Sequence, residues 1–460
     1  MVVQSTTNYD YTGATAGLMD LLRYLNNYPA LGTGIERLAN QGHNLLGSEL
    51  PIEFLKYQVG YQINLIGSYP TDTDVVPSAI FVAAFAVLLF VHLGIFIINC
   101  SRHHFFWVSI GWVFYCILRC IGFGLRIPFG KDVTRVPTGI ASEVLLILPS
   151  IVLVSLNLIL AQRIFTWRHP VGGSRKLFWG FMITLYIFVL AIIGMTIACA
   201  AIPYIYFLSE GVYSSYKKVV QASAVLILAY SLTAISLIGL AYFFKPTRKD
   251  ENLYTYQPWW IESFSPFYFV KKGAVYEAEE TFMKRNHNHR HAIRVIAATH
   301  HHYNMVEGLT NQRGDLSHNW SLGLIAITTL FIFVGSLCRL IVCFQDRYTR
   351  EQSRLCDPVA MYILWGLLEV IINVLYIVGR VDLRFYRPDI LPAKVRAIIT
   401  AQQSIEQSDA SSEFDQYSSE EEISDTESSE GFDLTPNVQK EGFVKNAKEL
   451  ESDYDEEFRF

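Results

Sequence analysis

Long unbroken apolar runs alternate with polar connections along most of this chain. Seven runs stand out, at about Pro77–Ile98, Phe105–Leu125, Gly139–Ala161, Leu177–Ile202, Val219–Phe244, Leu322–Phe344 and Pro358–Val378. Each is close to the ~20 residues that an α-helix needs to cross the hydrocarbon of a bilayer. The pattern predicts an all-α fold, a polytopic membrane protein built as a seven-transmembrane-helix bundle.

The polar positions inside those runs are ordered. In the seventh run Tyr362, Glu369, Asn373, Tyr376 and Arg380 follow at spacings of seven, four, three and four, so they share one helix face. The second run carries Tyr115, Arg119, Gly122 and Arg126 on one face. The third carries Glu143, Ser150 and Asn157, and the sixth Thr329, Ser336 and Arg339. A polar stripe in a membrane must face protein or a water-filled cavity. These four stripes are therefore expected to converge on a polar cavity between helices 2, 3, 6 and 7, open toward the outer leaflet. Arg119, Glu143, Arg339, Glu369, Asn373 and Arg126 are the candidate ligand- or lipid-binding residues. Arg119 and Arg339 are expected either to bind anionic headgroups or to pair with Glu143 and Glu369. The first and fourth runs are more uniformly apolar and are expected to face lipid.

The connections divide the rest of the chain. Residues 1–74 show no basic start followed by an apolar core, so they predict a small extracytosolic cap with no cleavable leader. The membrane domain spans 75–385 and includes a long cytosolic loop, 245–321. That loop opens with Trp259, Trp260, Phe264, Phe267, Tyr268 and Phe269, which suit the headgroup layer, and a helix is expected over 274–305. Residues 386–403 predict an interfacial helix, and 404–460 an acidic, Ser-rich disordered tail.

Charge sets the orientation. With the N-terminus outside, fourteen Lys and Arg flank the inner ends of the runs and eight the outer ends, so the C-terminus is expected in the cytosol. The whole-chain net charge of −5 is concentrated in the tail, where 18 Asp and Glu face 4 Lys and Arg from Ser404 onward. The remainder is mildly basic, and nothing in it points to nucleic acid. Ser412, Ser418, Ser419 and Ser424 each precede an acidic residue by three, the pattern of acidophilic-kinase sites. Histidines gather between His287 and His318, with His287, His291 and His300 the weak metal candidates; no cysteine or carboxylate spacing accompanies them, so a solvated loop surface is preferred. The seven cysteines form no disulfide or zinc pattern. No catalytic or nucleotide-binding motif is present, which gives the expectation of a non-enzyme without cofactor.

Several stretches resemble a known family. Ile121-Gly122-Phe123-Gly124-Leu125-Arg126 is similar to an Ile-Gly-Tyr-x-x-Arg motif, Leu145–Leu160 with Pro149 to a Leu-rich third span, and Ser336-Leu-Cys-Arg339 to the end of an Arg-x-x-Phe-Arg motif. These belong to the fungal lipid-translocating exporter family, associated with resistance to 7-aminocholesterol and sphingoid bases. The first arginine of the sixth-span pair is replaced by Gly335 or a neighbour, and the 5–6 loop is longer, so the chain resembles a divergent relative. The resemblance implies a multi-pass fungal membrane protein that binds or moves amphipathic lipids, with membrane lipids as partners and the plasma membrane as location; endoplasmic reticulum and vacuole stay open. The alternative is a seven-helix receptor-like signalling protein whose loop and tail engage cytosolic partners. Asp346-Arg347-Tyr348 does not support that alternative, because the receptor triplet closes a third span on the cytosolic side.

Overall fold

The computed structural model describes residues 13–47, 50–63, 69–169, 176–245 and 319–386, with 255–257, 267–269, 272 and 295–297 from the long loop. The expected metal candidates His287, His291 and His300, the serines Ser412, Ser418, Ser419 and Ser424, and the segments after 386 lie outside these residues.

Seven helices are long and apolar enough to cross a membrane: Asp72–Ser101, Ser109–Lys131, Val136–Thr166, Lys176–Ile205, Glu210–Phe243, Trp320–Gln345 and Pro358–Val378. The fold is all-α and the chain is a multi-pass membrane protein in architecture. A helix satisfies its own backbone donors and acceptors, which hydrocarbon cannot do.

Ahead of the spans lie α1 (Ala14–Leu25), α2 (Ile35–Leu46) and α3 (Ile52–Gly60). Met19, Leu22, Leu38 and Phe54 form a small core for these three. This cap sits on the loops that precede the fifth and seventh spans. Ala30 N–H donates to the Leu208 carbonyl at 2.8 Å and Gly34 N–H to Pro203 at 2.8 Å. Thr349 N–H donates to the Gln62 carbonyl at 2.8 Å. Gly34 has φ +69°, and a Cβ there would stand 2.3 Å from the Phe207 ring, so only glycine fits this docking turn.

The spans are α4 (Val75–Ser101), α5 (Ser109–Lys131), α6 (Val136–Arg168), α7 (Lys176–Ile205), α8 with α9 (Glu210–Ser231 and Thr233–Phe243), α10 (Asn319–Gln345), and α11 with α12 (Pro358–Tyr362 and Leu368–Val378). A last short helix, α13, covers Val381–Arg384. The fifth span begins nine residues before the apolar run, because Glu210 and its neighbours continue the helix beyond the apolar layer. It breaks at Leu232, where the Ser231 and Thr233 hydroxyls donate to the Leu228 and Tyr230 carbonyls at 2.6 and 2.7 Å. Such back-bonding bends helices. The seventh span contains a π-helical turn at Ile363–Leu367 that the sequence pattern did not reveal.

The third span, α6, is the hub, with 61% of its apolar window buried, against 17% for the first and fourth spans. The first and fourth spans thus lie at the rim, as their uniform apolarity suggests. α5 and α6 approach closely through small residues. A Cβ on Gly122 would stand 2.9 Å from the Leu145 carbonyl oxygen, and Ser142 Oγ donates to the Gly122 carbonyl at 2.9 Å.

In the long loop, Thr255–Gln257 and Val295–Ala297 pair as a short parallel ladder. This corrects the expected helix over 274–305, since 295–297 is extended; Val295-Ile296 is a β-branched pair suited to a strand. Of the loop aromatics, Tyr268 and Phe269 meet Arg380, which donates to the Tyr268 carbonyl and whose guanidinium lies 4.8 Å from the Phe269 ring. They pack on the end of the seventh span.

The close α5–α6 crossing predicts that Gly122→Val lowers stability by about 1–3 kcal/mol, because the Leu145 backbone cannot move aside cheaply. Gly124→Val is the control, since a Cβ there meets nothing within 4 Å. Thermal unfolding of the two variants in detergent checks this: equal melting temperatures would mean the helices are not held at this distance.

Candidate functional site

Buried polar groups form four layers through the bundle. Nearest the cap, Asp74 and Arg126 pair at 3.2 Å. The Thr71 N–H donates to Asp74 Oδ2 at 2.9 Å, and the Tyr362 hydroxyl donates to Oδ1 at 3.1 Å. Ser78 Oγ, 2.7 Å away, completes the Tyr362 hydroxyl. Arg126 therefore has a carboxylate partner at the start of the first span, which the sequence reading did not name.

The central layer joins the second, third and seventh spans. Glu369 pairs with Arg119, and the Tyr115 hydroxyl donates to its other oxygen. Ser150 Oγ donates to Glu369 Oε1 at 2.8 Å and accepts from Arg119 Nη2 at 3.0 Å. Arg119 Nη1 donates to the Leu146 carbonyl at 2.9 Å. Arg119 is wholly buried, and Glu369 nearly so. Of the two options raised by the sequence, the structure places Arg119 in an ion pair with Glu369. The Arg119 charge lies in a low-dielectric interior, so the arrangement holds because each charge meets the other and both Nη groups of Arg119 are bonded, although its Nε is buried without a partner.

Below it, Asn373 Nδ2 donates to the Glu369 carbonyl at 2.7 Å. Asn157 Nδ2 donates to Thr328 Oγ1 at 3.0 Å, and the Tyr376 hydroxyl donates to Asn157 Oδ1 at 2.6 Å. This third layer ties the third, sixth and seventh spans. Thr328 was missed because Thr329, its neighbour, fitted the Ser336 and Arg339 stripe; both hydroxyls bond Asn157.

The fourth layer lies beyond the spans, at the end opposite the cap. Arg380, at φ +46° after α12, grips Asp382 at 2.7 Å. Asn99 Nδ2 donates to Asp382 Oδ2 at 2.8 Å. His104 Nε2 lies 3.0 Å from the Asp382 carbonyl oxygen, which can only accept, so Nε2 carries the proton. Burial opposes ionisation of Asp382, yet Arg380, Asn99 and His104 hold its carboxyl below the usual range. Burial pushes His104 down to about 4, with Arg380 and Arg163 adding to the fall, while its bond to the Asp382 backbone and the Asp382 charge act against it.

Two candidates stand apart from the central layer. Glu143 accepts from the Tyr204 hydroxyl at 3.2 Å and lines a separate cavity of about 20 Å³ between the third and fourth spans. It meets neither Arg119 nor Arg339, because its face of α6 turns toward α7. Arg339 is buried and has no hydrogen bond or ion pair among the described residues. It lines a cavity of about 20 Å³ with Ser150, Ser336, Trp365 and Glu369, enclosed by the third, fifth, sixth and seventh spans. Such a space holds about one water. The polar stripes do converge, but as a packed network, and the fifth span takes the place expected for the second in lining the space around Arg339. The cavities at Glu143 and at Arg339 are each about 20 Å³.

The first span was read as uniformly apolar, yet Ser78, Phe85, His92 and Asn99 form its buried face. Their spacing of seven was the available signal, hidden by high mean hydropathy.

Residues 170–386 match a family model described as a protein of unknown function, DUF3112. The match is a little under half of the chain; it takes in Arg339 and Glu369 and leaves out Arg119. No curated protein and no solved structure matches the chain.

Two outcomes follow from this geometry. Removing one partner of the central pair, by Glu369→Leu or Arg119→Leu, is expected to cost about 3–5 kcal/mol, and the double replacement less than the sum. Additive losses in denaturation would show that the two side chains do not couple. The second concerns pH. The folded state resists protonating His104, so its contribution is present above pH ~6.5 and fades as pH falls toward 4, a loss of roughly 3 kcal/mol. His104→Gln should flatten that part of the stability–pH curve; an unchanged slope between pH 6.5 and 4 would assign the acid sensitivity elsewhere.

Proposed function

We propose that this multi-pass membrane protein binds or translocates amphipathic lipids, or confers tolerance to them, through the polar residues of helices 2, 3, 6 and 7. The observation that carries the reading is the Arg119–Glu369 pair, buried at the meeting point of three spans. Intramembrane charge is expensive and concentrates on pathways and binding sites. The resemblance of the second, third and sixth spans to the fungal exporter family supports the same reading.

In this proposal the packed bundle is the closed form. A headgroup enters when the pair separates: an anionic phosphate replaces Glu369 as partner of Arg119 and is met by Arg339 as well, while Glu369 takes a cationic group or a proton. The action is non-enzymatic. The N-terminus lies outside and the tail in the cytosol, at the plasma membrane. A second reading, receptor-like signalling through the loop and tail, draws support from the π-helical turn at Ile363–Leu367, just before Glu369. π-turns in helices gather at functional sites, and a turn beside a saturated polar lock suits a two-state bundle.

Fluorescent-lipid movement in proteoliposomes tests the proposal. Rapid movement by wild type, lost in the folded Arg119→Ala/Glu369→Ala variant, is the expected result. Equal movement in both would remove the pair from the path. No movement in either, with folded protein, would favour the receptor-like reading, and ligand-dependent recruitment of a G-protein subunit would then be the discriminating assay.

A further inference from the structure

Three arginines are buried inside the spans: Arg119, Arg126 and Arg339. Arg119 has Glu369 and Arg126 has Asp74. Arg339, only 6% exposed, has no acceptor among the described residues, and its Nε is fully enclosed without a partner. A guanidinium stays protonated under any physiological condition, so this is a positive charge without a counter-charge.

The cavity beside it is lined by further donors. Trp365 is buried and its indole N–H makes no hydrogen bond to a described residue; Ser336 likewise makes none. The acceptors at the wall are already used: Glu369 Oε1 by Arg119 and Ser150, Oε2 by Tyr115. The space thus offers an uncompensated cation and two open donors, while both carboxylate oxygens of Glu369 are engaged with Arg119, Ser150 and Tyr115. A water there would leave the charge unneutralised.

We propose that this cavity, between the third, fifth, sixth and seventh spans, is a binding site for a single monatomic anion of halide size, held by Arg339 with Trp365 and Ser336. The space beside the charge is small, about 20 Å³, and suits a compact anion better than a bulky one. Enclosure favours weakly hydrated chloride or bromide over fluoride, whose dehydration costs more. The anion neutralises Arg339 and bridges the sixth and seventh spans. This goes beyond the lipid reading: the halide belongs to the closed bundle, and a headgroup phosphate would reach Arg339 only in the opened one.

The full chain, purified in maltoside micelles free of phosphate, is the material for the test. Retention of radiolabelled chloride is measured, together with melting temperature in sodium chloride, bromide, fluoride and sulfate at constant ionic strength. Saturable retention of about one chloride per chain is expected, with stabilisation by chloride and bromide exceeding that by fluoride and sulfate. Arg339→Leu should weaken retention at least about tenfold, the loss of a charge-assisted contact. Should that variant fail to fold, Gly335→Ala decides: a Cβ there meets nothing closer than 3.8 Å, so it narrows the cavity edge without touching the charge. It should weaken bromide more than chloride. Retention unchanged in both variants, no retention by wild type, or equal stabilisation by sulfate would overturn the proposal. So would protection of the protein by an anionic phospholipid but by no halide, which would make Arg339 a headgroup subsite.

Discussion

A charge in the middle of a bilayer has no water to turn to, and that constraint organises this protein. Glu369 sits near the centre of the seventh span, so the other helices must supply its solvation. They do so with one cation, one phenol and one serine, drawn from the second and third spans. Because these donors come from different helices, the charge also fixes helix order and register. The third span occupies the hub for this reason: it offers Ser150 and Asn157, two turns apart, to successive polar layers. Gly122 and Ser142 then bring the second span close enough for Arg119 to reach across.

The same logic repeats with different chemistry at each depth. Asp74 and Arg126 share the cap end, where the capping turn at Thr71 fixes the carboxylate by a backbone N–H. Neutral groups suffice lower in the bundle, where Asn157, Thr328 and Tyr376 satisfy one another. At the far end Arg380 leaves the helix in a left-handed conformation, which turns its side chain back onto Asp382 and the loop residues Tyr268 and Phe269. A positive φ on a residue other than glycine is strained, and here three hydrogen-bonded contacts hold it.

Much of this was legible in the sequence because membrane helices show two independent patterns. Run length gave the seven spans, and seven-residue polar spacing gave the inward faces of the second, third, sixth and seventh. Pairing was less legible. Periodicity places a residue on a face but gives neither the helix opposite nor the depth at which two faces meet. Glu143 shares a face with Ser150 in a helical projection, yet α6 is long enough that its upper part looks toward Tyr204 on the fourth span. Asp74 precedes the apolar run, so it looked like a loop residue, although it lies within hydrogen-bonding distance of Arg126. The first span hid its inward face for the opposite reason: four informative positions are diluted by a high mean hydropathy. The π-turn at Ile363–Leu367 has no composition signature; it lies where Gly366 packs closely on the Phe81 ring of the first span.

Packing then limits what the polar core can do while closed. The cavities at Glu143 and Arg339 are small, and Arg119 and Glu369 are bonded to one another, so a headgroup has to part that pair before it meets either charge. Arg119 and Arg126 each pair with a carboxylate on another span, whereas the sixth span contributes a cation, Arg339, that bonds no described residue of the seventh. The π-turn lies on that same stretch of the seventh span, where one residue more per turn loosens the regular ladder. The sixth span is thus tied to the third through Thr328, Thr329 and Asn157, while its own charge at Arg339 is left for a ligand to satisfy.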